Sequence, residues 1–372
     1  MRREIVFTSS YSSQLGALIS LSDYFKKKDL SNNIQKIIVF HISSRGDSKC
    51  NYSCFADNGN IILGSNFKIR VIKINSIFKR LVLLLLISTL KIFGLNKFLS
   101  VWEPSPNWFA RLFYYRNINL NLFKSYFQNI KFYGDGFLCL SQTSIPFWLN
   151  KETSSIESHN EYSKNIFYYF YNLNFSINKK HKYIKIEPNY VKNILEKITL
   201  NPKKIKNTKY KNLIIFPLTT FYETNRSTLD SEISLYIDYL NERINKKKDI
   251  ILIKPHPGNL EIKNNLLIKR LKSENFNILN SQFLKDQIIK LPLRIIPLEM
   301  LCLIFLKKTD IKEKDIKIAL NSNATLSTSY LFPEIHCLKP FGNDLIYKYI
   351  KEEFAKKRIV QEEILIKKIY KK

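Results

Sequence analysis

Cysteine is scarce in this chain and unpaired in its spacing. Five cysteines, at positions 50, 54, 139, 302 and 337, are an odd number without a CxxC pair, which excludes a disulfide framework and a zinc finger as organising devices. A reducing compartment fits such usage. Missing too is a segment able to cross a bilayer, because the apolar run Leu81 to Leu95 is interrupted by Lys91 and too short. Met1 to Arg3 lead straight into the strand-like Glu4 to Thr8, so no secretory leader is expected and a cytoplasmic location is. Acidic residues are outnumbered, 31 against 60 basic ones, for a formal net charge of +29. Such an excess ordinarily points to nucleic acid or an anionic membrane. The companion signs of a nucleic-acid binder are absent: no zinc-finger spacing, no RNP-like aromatic motif, no concentrated arginine patch. Glycine, alanine and arginine are scarce while lysine, asparagine and isoleucine abound, the pattern of AT-rich coding, and the lysines are spread rather than blocked. We therefore expect no nucleic-acid partner. Lys79, Arg80, Lys91 and Lys97 flank the Leu81 run, so two readings stand: a buried core helix, or an interfacial one at the inner face of the cytoplasmic membrane.

What is present centres on Ile250 to Gly258, IILIKPHPG. Four apolar residues make a strand suited to burial on both faces of a parallel sheet. Pro255 and Pro257 cannot extend the ladder and hold the backbone around His256 extended. His256 and Lys254 thus stand at the carboxyl end of a strand, where ligands of open α/β sheets sit and where both suit an anionic group such as phosphate. The other reading is a structural turn whose histidine bonds only the backbone.

At 372 residues, two domains are expected. Strand Glu4 to Thr8, loop Thr8 to Gln14, helix Leu15 to Lys27 and strand Gln35 to Ile42 open a doubly wound sheet. The hydroxyl and amide groups of that loop, Ser13 and Gln14 among them, suit a sugar or are ordinary helix caps. Further strands are expected within Ile61 to Ile74, at Leu99 to Trp102 and just before Gly134-Asp135-Gly136, where the turn brings out Asp135 as an acid or simply as a turn residue. Residues 151–210 show no strand periodicity and read as helices and a linker. The basic stretch from Asn201 to Lys211 marks the domain boundary. The second half begins with strand Asn212 to Phe216, ending in Pro217-Leu218-Thr219-Thr220-Phe221. A helix from Asp230 to Arg243, the Ile250 strand, a helix over Leu260 to Leu271, a short strand at Asn277 and a helix over Ser281 to Leu291 follow. Glu299 opens an apolar helix after Pro297, as a cap or as a ligand group. Strand Lys317 to Leu320 then opens into Asn321-Ser322-Asn323-Ala324-Thr325, a phosphate cradle or a set of caps. Basic amphipathic helices fill 344–372, to meet the other domain or a membrane.

The Asp-Gly turn, the KPHP loop, the Pro-Leu-Glu helix start and the Ser-Asn-Ala-Thr loop stand in an order that resembles bacterial sialyltransferases and polysialyltransferases of the GT-B fold. The likeness is densest from about residue 211 to 341. Two elements depart from the family pattern: Gly134 replaces a first acidic residue, and Asn323 stands where a second serine is usual.

The resemblance implies an α/β chain of GT-B type, two Rossmann-like domains facing a central cleft. Residues 1–205 would form the acceptor-side domain, 206–343 the nucleotide-sugar domain, and 344–372 a basic helix crossing back or touching membrane. It implies inverting, metal-independent transfer of sialic acid from CMP-sialic acid to a glycan hydroxyl of lipo-oligosaccharide, capsule or polysialic acid type, with no cofactor. Asp135 would be the general base, and His256 would serve the leaving phosphate together with Ser322, Asn323 and Thr325. Glu299 would hold the ribose, Lys254 with Pro255 and Pro257 would wall the cytidine, Thr219 and Thr220 would border the sugar, and Ser13 and Gln14 would face the acceptor. Transfer of Kdo from a CMP donor, or of glycerophosphate from CDP-glycerol, stays open beside it. So does, from another class and with less support, a basic nucleic-acid-binding protein, for which the +29 charge is the main argument.

Overall fold

The computed structural model describes residues 3–8, 10–28, 35–42, 54–95, 100–103, 129–133, 166–169, 182–199, 212–279, 293–322 and 324–370. The chain divides into two compact units, Met1–Ile198 and Thr199–Lys372. Both are α/β, as the strand and helix alternation leads one to expect.

In the first unit, strands β1 (Arg3–Thr8), β2 (Gln35–His41), β3 (Phe67–Lys73), β4 (Ser100–Glu103), β5 (Asn129–Phe132), β6 (Ile166–Tyr169) and β7 (Lys182–Lys185) form one sheet in the order β3-β2-β1-β4-β5-β6-β7. Every pairing among them is parallel. The order reverses direction between β1 and β4, and that point is where doubly wound sheets bind ligands. Helices α1 (Tyr11–Lys27), α2 (Cys54–Leu63), α3 (Ile77–Ile92) and α4 (Pro188–Thr199) accompany the strands.

Val6, Phe7, Ile37, Val39, Val101 and Trp102 are completely buried, and side chains of this size contribute about 1.5–3 kcal/mol each by leaving water. The buried Glu4 carboxylate accepts from Trp102 Nε1 at 2.7 Å, Lys131 Nζ at 3.2 Å and the Ser100 hydroxyl, tying three neighbouring strands together.

Three local expectations need correction. Helix α1 begins at Tyr11, not Leu15, because Ser10 and Ser13 form a reciprocal capping box that satisfies the first free amides. The strand expected within Ile61 to Ile74 starts only at Phe67, because Ile61 to Leu63 close the helix Cys54–Leu63, formed although its Asp-Asn-Gly-Asn stretch favours turns; Gly59 there lets Ile69 of β3 and Leu18 of α1 approach its backbone. Within 151–210, read as strandless, β6 and β7 are short aromatic strands. A four-residue strand carries too little alternation to declare itself, and β5 and β6 supply the template on which they pair.

The second unit holds β8 (Asn212–Pro217), β9 (Asp249–Lys254), β10 (Ile316–Ala319) and β11 (His336–Leu338), in the order β11-β10-β8-β9 and parallel throughout. The segment at Asn277, read as a short strand, adds a single parallel bridge, Ile251 to Ile278, on the outer side of β9. This unit too reverses direction, between β8 and β10. The Ile250 strand is buried along its whole length, as its unbroken apolar run requires.

Around the sheet lie α5 (Leu229–Arg243), α6 (Glu261–Ser273), α7 (Leu298–Lys308), α8 (Ala324–Leu331), α9 (Asn343–Tyr349) and α10 (Glu352–Tyr370). Helix α10 is anchored inside its own unit: Arg358 donates to the Asn321 carbonyl at 3.1 Å, and the Tyr370 hydroxyl donates to the Cys337 carbonyl. The Ser281 to Leu291 helix lies outside the described residues.

Candidate functional site

The carboxyl ends of β8, β9 and β10 converge on one edge of the second sheet, and six of the expected donor-side residues, Thr219, Thr220, Pro255, His256, Pro257 and Ser322, sit in the loops leaving them. After β9 the chain turns at Pro255 to Gly258. Asn259 Oδ1 accepts from the His256 amide at 2.7 Å, and the Asn259 amide donates to the His256 carbonyl at 2.9 Å. The Gly258 amide donates to His256 Nδ1 at 3.0 Å. An amide can only donate, so Nδ1 is the acceptor nitrogen and Nε2 carries the proton. The ring keeps solvent access, yet the protein packed about it lowers its pKa, and Lys254 and Lys263 add repulsion. Protonation would also have to break the Gly258 bond. At neutral pH His256 is therefore an uncharged ring whose Nε2–H is left to donate.

Ser322 stands two residues before α8, partly exposed, its hydroxyl accepting from the Ala324 amide at 3.4 Å. First-turn amides and a hydroxyl at a helix start favour an anion. Strand β8 lies between β9 and β10, so the ends carrying His256 and Ser322 are two strand spacings apart, about 10 Å. A nucleoside monophosphate covers that span. Between them runs Leu218 to Phe221, with the Thr220 methyl 3.7 Å from where a Gly258 Cβ would lie. A larger residue at 258 would crowd the His256 ring as well, 3.4 Å from Nδ1.

Beneath these loops is a buried polar network that gave no sign in the sequence. Lys263 of α6 is 0% exposed and its ammonium meets Glu223 Oε2 at 2.7 Å, the Thr219 carbonyl at 2.9 Å and both Glu232 oxygens at 3.1 Å. Glu232 also accepts from Thr219 Oγ1 at 2.9 Å, the Tyr222 amide at 2.7 Å and the Tyr236 hydroxyl. Asn259 Nδ2 donates to the Thr219 carbonyl at 2.7 Å. Thr219 is thus a buried strut joining the β8 and β9 loops, while Thr220 stays at the surface of the site. Asn321 Nδ2 donates to the Pro217 carbonyl at 2.6 Å and links the β8 and β10 ends in the same way. Arg358 holds Asn321 from below, paired with Glu362 at 2.9 Å and seated 5.4 Å from the ring centres of Phe221 and Phe341.

Lys254 and Glu299 also turn inward. The Lys254 ammonium donates to the Pro255 and Arg294 carbonyls, both at 3.0 Å, and burial pulls its pKa down to about 7 against the opposing charge of Glu299. Glu299 is 2% exposed and accepts from Ser327 Oγ of α8. Burial raises its pKa to about 7, opposed by Ser327, its own amide and Lys254. Glu299 thus joins the start of α7 to α8. Thr325 is buried and donates to the Ala319 carbonyl at 3.3 Å. Asn323 lies outside the described residues, as does Asp135.

At the reversal point of the first sheet, Ser13 and Gln14 are buried in the first turn of α1. Ser13 Oγ donates to the Ser10 carbonyl at 2.8 Å, and Gln14 Nε2 donates to His41 Nδ1 at 3.1 Å. Ser13 thus closes the start of its own helix, and Gln14 ties that helix to the end of β2. Burial, with Lys73 nearby, lowers the His41 pKa to about 4. Burial alone raises the Glu103 carboxyl, at the end of β4, to about 8. Among the described residues, no group of three or more His, Cys, Asp or Glu is placed to hold a metal ion.

No protein-family model matches the chain, and neither does any curated protein. Among solved structures it is similar to UDP-GlcNAc 2-epimerase from Methanocaldococcus jannaschii, at 13% identity and TM-score 0.44, over 98% of this chain and 99% of that one. A sialyltransferase from Photobacterium damsela matches at 12% identity and TM-score 0.37, over 91% and 81%. A trehalose-6-phosphate synthase, OtsA, matches at 11% identity and TM-score 0.38, over 99% and 95%. TM-scores this low say nothing about activity.

Proposed function

We propose that the chain is a glycosyltransferase of GT-B type that moves sialic acid from CMP-sialic acid to a glycan hydroxyl, with inversion and without a metal ion. The observation that carries the reading is the edge of the second sheet, where a histidine with a fixed Nε2–H and a serine at a helix start flank the reversal point at nucleotide spacing. In this reading the donor phosphate lies between them. His256, neutral at working pH, stabilises the departing phosphate by donating a hydrogen bond, and the first-turn amides of α8 share the charge. Thr219, Lys254 and Thr325 hold the loops in place, and Thr220 borders the sugar. Asp135 takes the proton of the acceptor hydroxyl as the new bond forms. The phosphate contacts would also serve a Kdo or CDP-glycerol donor; the sialyl donor rests on the motif order.

A donor panel tests the proposal. Purified protein is incubated with CMP-sialic acid, CMP-Kdo, CDP-glycerol, UDP-sugars and GDP-sugars, with and without EDTA, and products are weighed by mass spectrometry. CMP-sialic acid should be consumed in EDTA. Turnover of UDP-sugars alone, or full dependence on magnesium, would refute the reading.

A further inference from the structure

Helix α3 turns its most apolar side outward. Phe78 is 75% exposed, Leu85 66% and Ile92 80%, with Leu81, Val82, Leu86 and Phe93 also exposed. At about 100° per residue these seven positions fall in one stripe about 140° wide. Leu83 and Ile87, both buried, lie on the opposite side and attach the helix to its unit. Thr89 is exposed within the stripe and turns its hydroxyl back to the Leu85 carbonyl at 2.9 Å; seven apolar residues gathered in this way are not the scatter of single ones that any surface carries.

The surroundings of the stripe decide what covers it. Between Asp57 and Glu103 the chain has seven basic residues and no acidic one. Lys79 is exposed at the margin of the stripe, and Lys68 and Arg70 are exposed on β3, the edge strand that leads into the helix. A second copy of the chain would bring the same cations against these and a second net charge of +29. Among the described residues, no helix is long and apolar enough to cross a membrane, and sixteen residues of α3 span only about 24 Å. We propose that α3 is a monotopic membrane anchor, lying in the plane of an anionic bilayer with Phe78, Leu85 and Ile92 among the acyl chains and the flanking cations at the lipid phosphates.

The test is co-sedimentation of the full chain with vesicles of phosphatidylcholine alone and of phosphatidylcholine with phosphatidylglycerol. Binding should require the anionic lipid and weaken with salt. Leu85→Ser with Ile92→Ser leaves every charge in place and should reduce partitioning at least about tenfold. Phe78→Ser is a second, independent variant at an exposed position, and thermal melts establish that each is folded. Lys79→Glu should cost roughly fivefold or more, the worth of one cation at the surface. Folded serine variants that bind vesicles like the wild type would overturn the proposal. So would a dimer in sedimentation velocity that the same variants dissolve while vesicle binding is absent.

Discussion

Replacing Lys263 by methionine removes one charge from the network beneath the β8 and β9 loops and almost no volume. Breaking a buried ion pair from one side usually costs about 3–5 kcal/mol, because the remaining charge is left in the interior. Two features put Lys263→Met at the low end. Glu232 keeps the Thr219 and Tyr236 hydroxyls and the Tyr222 amide, and Glu223 is partly open to solvent and keeps the Leu260 amide at 3.0 Å. The expected loss is about 3 kcal/mol. Lys263→Met with Glu232→Gln removes the stranded charge as well and should recover about 1–2 kcal/mol of it. All three tryptophans, 102, 108 and 148, belong to the first unit, and Trp102 is buried in its sheet, so their fluorescence follows that unit. Native-state hydrogen exchange of peptides covering β8 and β9 reads the second. Protection there should fall in Lys263→Met while the fluorescence transition stays put. A loss under about 1 kcal/mol, or an equal loss in the first unit, would show that the network does not hold the loops.

Two further outcomes follow from buried groups. Glu103 has a folded pKa of about 8 against an ordinary 4.5. The unfolded chain thus binds fewer protons between those values, and stability is lost as pH rises through that window. Glu103→Gln should accordingly gain on the wild type from pH 5 to pH 9, by at most about 4 kcal/mol, in melts of the two proteins across pH; a flat difference would refute the assignment. Arg358→Lys keeps the charge but loses the fork that reaches Asn321 and Glu362. It should cost about 1–3 kcal/mol and raise the KM for CMP-sialic acid more than it lowers kcat, which steady-state kinetics would separate.

The long elements of the second unit were legible because their patterns are local. The unbroken run Ile250 to Ile253, ended by two prolines, could hardly be anything but a buried strand, and β8, α5 and α6 have boundaries within one or two residues of those read from periodicity. The position of His256 at a strand end was legible for the same reason. Its tautomer was not, since that depends on the amide of Gly258. Lys263 reads in sequence as one more surface lysine of a polar helix, and only the fold shows four acceptors around it. Ser13 and Gln14 illustrate the reverse. Small polar residues after a strand suit a ligand and a cap equally; the Ser10 capping box took Ser13 for the helix, and Gln14 went to His41 at the end of β2. Strands β6 and β7 escaped because four residues hold no measurable period; their partners, not their own sequence, make them strands.

The most direct test of the account is single-turnover transfer from CMP-sialic acid to a labelled glycan acceptor in the presence of EDTA, comparing the wild type with Asp135→Asn and His256→Ala. The account predicts transfer by the wild type and a fall of roughly 10²-fold or more in each variant. A donor with a better leaving group should restore part of the loss in His256→Ala and none in Asp135→Asn. Transfer undiminished in His256→Ala, or a wild type that leaves CMP-sialic acid intact, would contradict it.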